Sequence, residues 1–210
     1  CIRDSNTLDK TINGKDNANY PPSANNASKT ALTWRKYLDE QYANGIWNTN
    51  ACPIVIRYAE VLLTYAEAVN ELSGPSADVY DKLDLIRGRV GMPKVDREKY
   101  ASKETLRRLI RRERGVELAG EGVRRADILR WKDDNGKMVA ETVLNGVLER
   151  VVGTVNYAET DPTKRAEIDT NAPATDKKIE DRVFKVHNRY NPIPQGAIDN
   201  NPNLEQNPGY

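Results

Sequence analysis

The residues best suited to chemistry are two glutamates, Glu113 and Glu117, which lie one turn apart in a stretch of helical periodicity. Side chains at this spacing have Cβ atoms about 6 Å apart, close to the roughly 5 Å between the carboxylates of a retaining glycosidase. The glycosidase carboxylates flank a sugar from opposite sides, whereas these two project together from one face of a helix. Glycosidase activity is therefore only a remote alternative.

A structural interpretation follows from the apolar stripe in which the two glutamates fall. At 100° per residue, the arginines at 107, 108, 111, 112 and 114 lie outside this stripe. Carboxylates that face a core must be paired, neutralised or functional, and of these alternatives we predict a buried ion-pair network of Glu113 and Glu117. The stripe consists of Leu106, Leu109, Ile110 and Val116. The predicted arginine partners are Arg57, Arg87 and Arg124, and the predicted additional members are Glu60 and Glu67.

Other chemistries have little support in the sequence. There is one histidine, His187, and the two cysteines, Cys1 and Cys52, are far apart, so no nucleophilic triad and no zinc spacing is present. Gly120-x-Gly122 follows a predicted helix, and Arg125 stands where a dinucleotide-binding fingerprint has its third glycine. We predict no catalytic residue, no metal and no cofactor.

The arginine-rich stretch does not predict nucleic-acid binding. Residues 103–132 hold ten basic and five acidic side chains, interleaved and without a recognition motif. The whole chain is nearly neutral, with 32 basic and 31 acidic residues. We interpret the arginines as a solvated, salt-bridged helix face and expect no nucleic-acid partner.

Four aromatic residues in the loop-rich first segment are the candidate ligand-binding residues. Tyrosine and tryptophan rings stack well on the flat faces of sugars. The alternative is that these rings attach the loops to the helices, and for any single residue this alternative is favoured. The four candidates are Trp34, Tyr37, Tyr42 and Trp47.

The periodicity predicts a mainly α fold in three parts. Residues 1–52 are rich in Asn, Ser, Thr and Pro and predict loops, with at most a short strand near residues 34–38. Residues 53–132 predict two tetratricopeptide-like helical hairpins. Residues 133–210 predict a small β-hairpin, between 147–155 and 179–186, and a tail that wraps over the helices. The four helices are predicted over 56–72, from Ser76 to before Gly91, from Ser102 to Ala119, and over 123–131. The tail anchors are Ile193, Ile198, Leu204 and Tyr210.

Four ordered motifs together resemble the SusD/RagB family of outer-membrane nutrient-binding lipoproteins. RYAEVLLTYAEA at 57–68 is similar to the first C-terminal helix of that family, and IRGRVGMP at 86–93 to its following turn. ERGVELAGEGVRRADILRW at 113–131 is similar to its signature. PIPQ at 192–195 and NPNLEQNPGY at 201–210 are similar to its ending.

The resemblance implies a mainly α-helical, tetratricopeptide-like protein with long ordered loops and no enzyme activity. Such proteins bind oligosaccharides at the cell surface and deliver them to a TonB-dependent, SusC-like outer-membrane transporter. The membrane is reached only through a lipid anchor on the full-length protein. The alternative is a protein-interaction scaffold of the same complex without a sugar site.

Residues 1–210 are expected to be a single SusD-like C-terminal region that lacks the N-terminal half of the family. Family members are usually about twice this length. Cys1 is therefore expected to be the start of a fragment, and a lipid-bearing cysteine is the alternative.

Overall fold

The computed structural model describes residues 11–12, 14–16, 28–32, 36–37, 52–161 and 164–210. The chain divides into two compact units, one of residues 52–127 and one of residues 1–51 with 128–210. No helix among the described residues combines the length and the apolar character needed to cross a bilayer. Of the short strand considered near residues 34–38, residues 36–37 are described and form a turn, and the rest lies outside the described residues.

The unit of residues 52–127 is built on three helices, α1 (Tyr58–Ser73), α2 (Ala77–Arg89) and α3 (Lys103–Glu117). Helix α1 packs against both α2 and α3. The interior contains fully buried Leu63, Leu83, Leu106 and Ile110, and burying each such side chain contributes roughly 1.5–3 kcal/mol. The predicted helical hairpins, and with them the mainly α fold, are confirmed.

The ends of these helices follow the local chemistry of the sequence. Gly74, with a φ of +79°, ends α1 in a conformation that residues with a Cβ rarely adopt. The Ser76 hydroxyl accepts a hydrogen bond from Val79 N (3.3 Å), and Ser102 and Thr105 cap the start of α3 reciprocally. Helix α3 ends at Glu117, two residues before the predicted Ala119.

The predicted stripe on α3 is wrong at one position. Leu106, Leu109 and Ile110 are buried, but Val116 is 73% exposed and Arg114, placed outside the stripe by periodicity, is only 5% exposed. Val116 and Arg114 flank the stripe on opposite sides. The neighbouring helix α1 covers the Arg114 side, because Arg114 reaches Thr64 and Glu67 of α1.

The next helix is α4 (Arg124–Arg130). The unit that contains residues 128–210 has its own small core. Ile128, Trp131, Met138 and Ala140 form that core, with Leu144 and Phe184 packed against it. The remaining helices are short. They are α5 (Val139–Val143), α6 (Ala174–Lys177), a 3-10 helix (Val186–Arg189) and α7 (Gln195–Asp199).

The described strands form three two-stranded antiparallel sheets. Strand β1 (Thr11–Ile12) pairs with β2 (Lys15–Asp16). Strand β3 (Gly146–Glu149) pairs with β6 (Lys178–Arg182), and β4 (Gly153–Val155) pairs with β5 (Ala166–Ile168).

The predicted β-hairpin is therefore confirmed only in its first half. Residues 146–149 pair with 178–182 as expected, but residues 153–155 turn to a closer partner at 166–168. The β3–β6 ladder shifts register between Leu148 and Glu149, and beyond the shift Glu149 pairs with Lys178 and Arg150 N donates to Lys177 O (2.8 Å).

Gly153 sets the spacing of the β4–β5 pair. A Cβ at this position would lie 2.2 Å from the Glu167 carbonyl oxygen, a backbone atom that cannot move away without breaking the pair. We expect Gly153→Ala to destabilise the pair by roughly 1–3 kcal/mol and to speed amide exchange at Asn156 and Asp169. Both amides donate to carbonyls across this hairpin.

The matched control is Gly196→Ala in α7, where a Cβ would meet open space. Hydrogen–deuterium exchange followed by mass spectrometry measures both variants. Unchanged exchange at Asn156 and Asp169 in Gly153→Ala would contradict the close approach.

Hydrogen bonds between side chains and backbone groups stabilise the C-terminal tail. The Gln206 amide accepts from Ile193 N (2.8 Å) and donates to Ile193 O (2.9 Å), and the Tyr210 hydroxyl donates to Tyr190 O (2.9 Å). The Tyr210 ring makes an edge contact with His187 at 4.9 Å. Of the predicted anchors, Ile193, Ile198 and Leu204 are half-buried and Tyr210 is 46% exposed. That the tail wraps over the helices stays a prediction.

Candidate functional site

Glu113 and Glu117 are ion-paired inside the helical unit. Arg87 Nη1 donates to Glu113 Oε1 (2.5 Å), and Arg87 Nε donates to the Pro93 carbonyl (2.7 Å). Both side chains are largely buried, with exposures of 10% and 12%. One guanidinium thus ties the end of α2 to α3 and to the turn that follows α2, as the predicted Arg87 pairing requires.

The second glutamate lies at the centre of a larger cluster. Arg57 Nη1 and Arg89 Nη2 both donate to Glu117 Oε1 at 2.7 Å, and Arg57 Nε donates to Glu121 Oε2 at 2.7 Å. Arg57 Nη2 also donates to the Glu117 carbonyl (2.6 Å). The hydrogen bond with Glu121 is the largest cause that raises the pKa of Arg57 above its ordinary value. The start of α1 and the turn after α3 are therefore joined through one cation.

A third pair, between Arg114 and Asp127, is more deeply buried than the first two groups of ion pairs and was not predicted. Arg114 Nε and Nη2 donate to the two Asp127 oxygens at 3.0 and 3.1 Å, and the side-chain exposures are 5% and 4%. Glu67 of α1 lies 3.6 Å from Arg114 Nε, so the predicted inclusion of Glu67 is confirmed through a different arginine. The sequence signal for this pair is that Arg114 and Asp127 lie on either side of the Gly120–Gly122 turn.

Arg124 and Glu60 are the remaining predicted members, and the pairing of Arg124 with a glutamate stays a prediction. The Arg124 guanidinium lies beside the backbone of Gly115, 3.2 Å from where a Cβ would stand. Glu60 makes no ion pair with any described residue. Oε1 of Glu113 and Oε1 of Glu117 each accept hydrogen bonds from guanidinium groups, and this arrangement supports the structural interpretation of the carboxylates.

A further ion pair lies on the outer edge of the α1–α3 contact. Arg107 Nε and Nη2 donate to the two Glu71 oxygens at 2.5 and 2.6 Å. The hydrogen bond with Arg107 is the main cause that lowers the pKa of Glu71. A carboxylate whose pKa is depressed by folding stabilises the fold at neutral pH and loses that contribution as the pH falls through the folded pKa. Because Glu71 is 38% exposed, solvent screening keeps this contribution small.

Of the four predicted ligand-binding aromatics, Tyr37 lies among the described residues, whereas Trp34, Tyr42 and Trp47 lie outside them. The Tyr37 side chain is exposed, and its backbone adopts a φ of +66°. A non-glycine residue in this region costs roughly 1–2 kcal/mol. The Lys36 Nζ atom lies over the Tyr37 ring, 5.9 Å from its centroid.

The neighbouring segment 28–32 is hydrogen-bonded through its backbone to residue 151 of the same unit, which is the unit of residues 1–51 with 128–210 and is called the β-rich unit below. Val151 N donates to Thr30 O at 3.0 Å, and Ala31 is buried with a φ of +61°. The Ser28 and Thr30 hydroxyls are hydrogen-bonded to each other at 3.0 Å. Strained non-glycine residues occur preferentially at ligand sites, and two of them, Ala31 and Tyr37, lie in or next to the predicted ligand segment.

The structure also contains an apolar surface that sequence analysis missed. The exposed face of α1 carries four apolar or aromatic side chains at helical spacing, which are Tyr58 (70% exposed), Val61 (53%), Tyr65 (43%) and Leu72 (85%). The Tyr65 hydroxyl donates to Asp78 of α2 (2.5 Å), and Lys82 Nζ lies 5.7 Å from the ring centroid. Rows of apolar side chains on a helix surface are typical of contacts with other proteins or segments.

No group of three or more His, Cys, Asp or Glu side chains within the described part of the chain is arranged to hold a metal ion. The architecture of the helical unit defines a class, that of mainly helical, tetratricopeptide-like proteins with long loops.

Within that class the chain belongs to the SusD family, whose family model matches residues 4–210. The resemblance based on the four sequence motifs is therefore confirmed.

Individual relatives agree with this assignment. One SusD-like protein of Formosa agariphila is 40% identical over 79 residues, which is 37% of this chain and 15% of the relative. Another is 30% identical over 140 residues, 61% of this chain and 28% of the relative.

The crystal structure of a SusD-like protein from Bacteroides fragilis matches 75% of this chain with a TM-score of 0.56 and 28% identity. That match covers 26% of the Bacteroides protein. The matches to these three proteins thus span between 15% and 28% of the relatives' own lengths.

Proposed function

We propose that the protein is a non-catalytic, cell-surface subunit that binds oligosaccharides and delivers them to a TonB-dependent, SusC-like outer-membrane transporter. The observation that carries the proposal is the match to the SusD family over nearly the whole chain. A lipid anchor on the full-length protein would hold this subunit at the outer membrane.

The proposed ligand site is formed by the aromatic residues of the first segment, Trp34, Tyr37, Tyr42 and Trp47. Tyr37 supports this assignment because its ring is exposed and its backbone is held in an unfavourable conformation. Stacking on a ring, combined with hydrogen bonds from nearby polar groups, gives moderate affinity and allows release to a transporter. The ion pairs of Glu113 with Arg87 and of Glu117 with Arg57 and Arg89 give both carboxylates a structural role, and this supports a binding function for the protein.

Isothermal titration of the protein with a panel of neutral and charged oligosaccharides tests the proposal. We expect at least one class to bind and Tyr37→Ala to weaken that binding by about tenfold, because an aromatic contact contributes roughly 0.5–1.5 kcal/mol beyond its buried area. Tyr157→Ala is the matched control, since Tyr157 is 63% exposed beside the β4 strand. An equal loss in both variants would contradict the assignment of Tyr37.

The second candidate function is a protein-interaction scaffold of the same complex, and the exposed face of α1 is the observation that favours it. This candidate predicts that no oligosaccharide binds while association with the transporter is retained. Sugar binding that survives without the transporter would favour the first candidate, and hydrolysis products would support the remote glycosidase alternative.

A further inference from the structure

The C-terminal tail brings two exposed tyrosine rings together with a half-buried histidine. Tyr190 is 49% exposed and Tyr210 is 46% exposed. The Tyr210 hydroxyl donates to the Tyr190 carbonyl, 20 positions away in the chain, at 2.9 Å, and the Tyr210 ring meets the His187 ring at an angle of 75°. His187, Tyr190 and Tyr210, here called the tail cluster, are therefore brought together by tertiary contacts.

The backbone of the tail cluster is fixed from several sides. Tyr190 N donates to His187 O at 3.1 Å, and Asn188 Nδ2 donates to the Tyr210 hydroxyl at 3.1 Å. Gly209, with a φ of +97°, brings the chain so close to His187 that a Cβ at position 209 would lie 2.7 Å from the His187 Cβ and Cγ atoms. A side chain whose backbone is already fixed loses less conformational entropy on binding, so the Tyr190 ring is suited to contact a ligand.

The Tyr190 ring also lies next to a side chain rich in hydrogen-bond donors. The Arg189 guanidinium carbon lies 4.7 Å from the ring centroid, and no carboxylate of the described residues forms an ion pair with Arg189. A similar contact joins Arg130 to Trp131, but Trp131 is only 3% exposed. An exposed aromatic face with N–H donors beside it matches a sugar ring, which has an apolar face and hydroxyl groups around its edge.

We propose that the tail cluster and Arg189 form a second contact site for the oligosaccharide, in which one sugar ring stacks on Tyr190 and its hydroxyl groups accept hydrogen bonds from Arg189. Tyr210 is a positioning residue, because its hydroxyl binds the Tyr190 carbonyl. This inference rests on the proposed glycan-binding function and adds to it a site in residues 187–210, which is separate in sequence from the predicted aromatic residues.

Isothermal titration with four oligosaccharides tests the inference. The probes are maltohexaose, cellohexaose, xylohexaose and tetragalacturonate, which differ in shape and charge. We expect at least one probe to bind, and Tyr190→Ala to weaken that binding by about tenfold. Tyr190→Trp keeps an aromatic face and is expected to retain the affinity within about threefold. The matched control is Tyr157→Ala, which removes a 63% exposed tyrosine of the same unit and is expected to leave the affinity unchanged.

Two further variants test the roles of the neighbouring residues. Arg189→Gln is expected to weaken the same probe by about fivefold, the effect of losing a hydrogen bond from a charged donor. Its control is Arg182→Gln, which removes a 40% exposed arginine of the same segment. Tyr210→Phe keeps the ring and removes the hydroxyl. We expect it to weaken binding by about threefold in the otherwise unmodified protein, and to cause no further loss in Tyr190→Ala, because Tyr210 acts through Tyr190.

The outcomes distinguish the inference from the proposed function on which it rests. Unchanged affinity in Tyr190→Ala, or an equal loss in Tyr157→Ala, overturns the inference and leaves glycan binding intact. A further loss when Tyr210→Phe is added to Tyr190→Ala overturns the positioning role of Tyr210. Failure of all four probes to bind the unmodified protein overturns the proposed function together with the inference.

Discussion

Replacement of Asp127 by Asn is expected to lower the free energy of unfolding by about 3–5 kcal/mol, the usual cost of removing one partner of a buried ion pair. The Arg114 guanidinium is 5% exposed and donates two hydrogen bonds to Asp127. An Asn side chain keeps the shape of Asp127, but it removes the charge and presents an amide group to one of the donors. The second carboxylate near Arg114, that of Glu67, lies 3.6 Å away and offsets part of the loss.

Urea denaturation followed by circular dichroism measures this effect. The matched control is Asp81→Asn, which removes a carboxylate that is 64% exposed and lies 3.1 Å from Arg97, and exposed pairs contribute about 0.2–1 kcal/mol. If the Asp127 variant were no less stable than the Asp81 variant, the buried pair would not hold α3 and α4 together.

The second large effect is expected for Glu117→Gln, with a loss of about 2–3 kcal/mol, because one carboxylate oxygen accepts hydrogen bonds from two guanidinium groups. Arg57 and Arg89 both reach Glu117 Oε1 at 2.7 Å, and the Glu117 side chain is 13% exposed. Removal of the charge leaves the two cations facing each other with less compensation. Arg57 retains its contact with Glu121, which keeps the expected loss below that for Asp127.

Thermal and urea denaturation of Glu117→Gln, compared with Glu98→Gln on the surface, measures this loss. A double-mutant cycle with Arg89→Met isolates the part of the stability loss that comes from the contact between Glu117 and Arg89, the more exposed of the two arginines. A Glu117→Gln variant that keeps its stability and changes the turnover of a ligand would contradict the structural interpretation and restore a catalytic one.

Much of the helical unit could be predicted from the sequence because its determinants are local. The apolar period of α1, the Ser76 and Ser102 caps and Gly74 each act within a few residues. The pairing of Arg87 with Glu113 and of Arg57 with Glu117 was also predictable, since a carboxylate in an apolar stripe requires a cation and few arginines lie on the facing helices.

The β-rich unit was predictable only in part, because strand pairing depends on distant segments. Both strands of the β3–β6 pair were suggested by their β-branched residues, but the β4–β5 pair was missed, since neither strand exceeds three residues. The close approach of Gly153 to the Glu167 carbonyl, which selects this partner, becomes visible only when the two backbones are placed together.

The sequence by itself determined the family, the helices and the need of Glu113 and Glu117 for arginine partners, because repeating patterns and charges in apolar surroundings are properties of single elements. Only the tertiary structure decided which side of α3 is buried. Arg114 and Val116 flank the same apolar stripe, and α1 covers the Arg114 side, so a charged residue became internal and an apolar one exposed. The helical period shows which residues share a face, but the neighbouring helix determines which face loses contact with water.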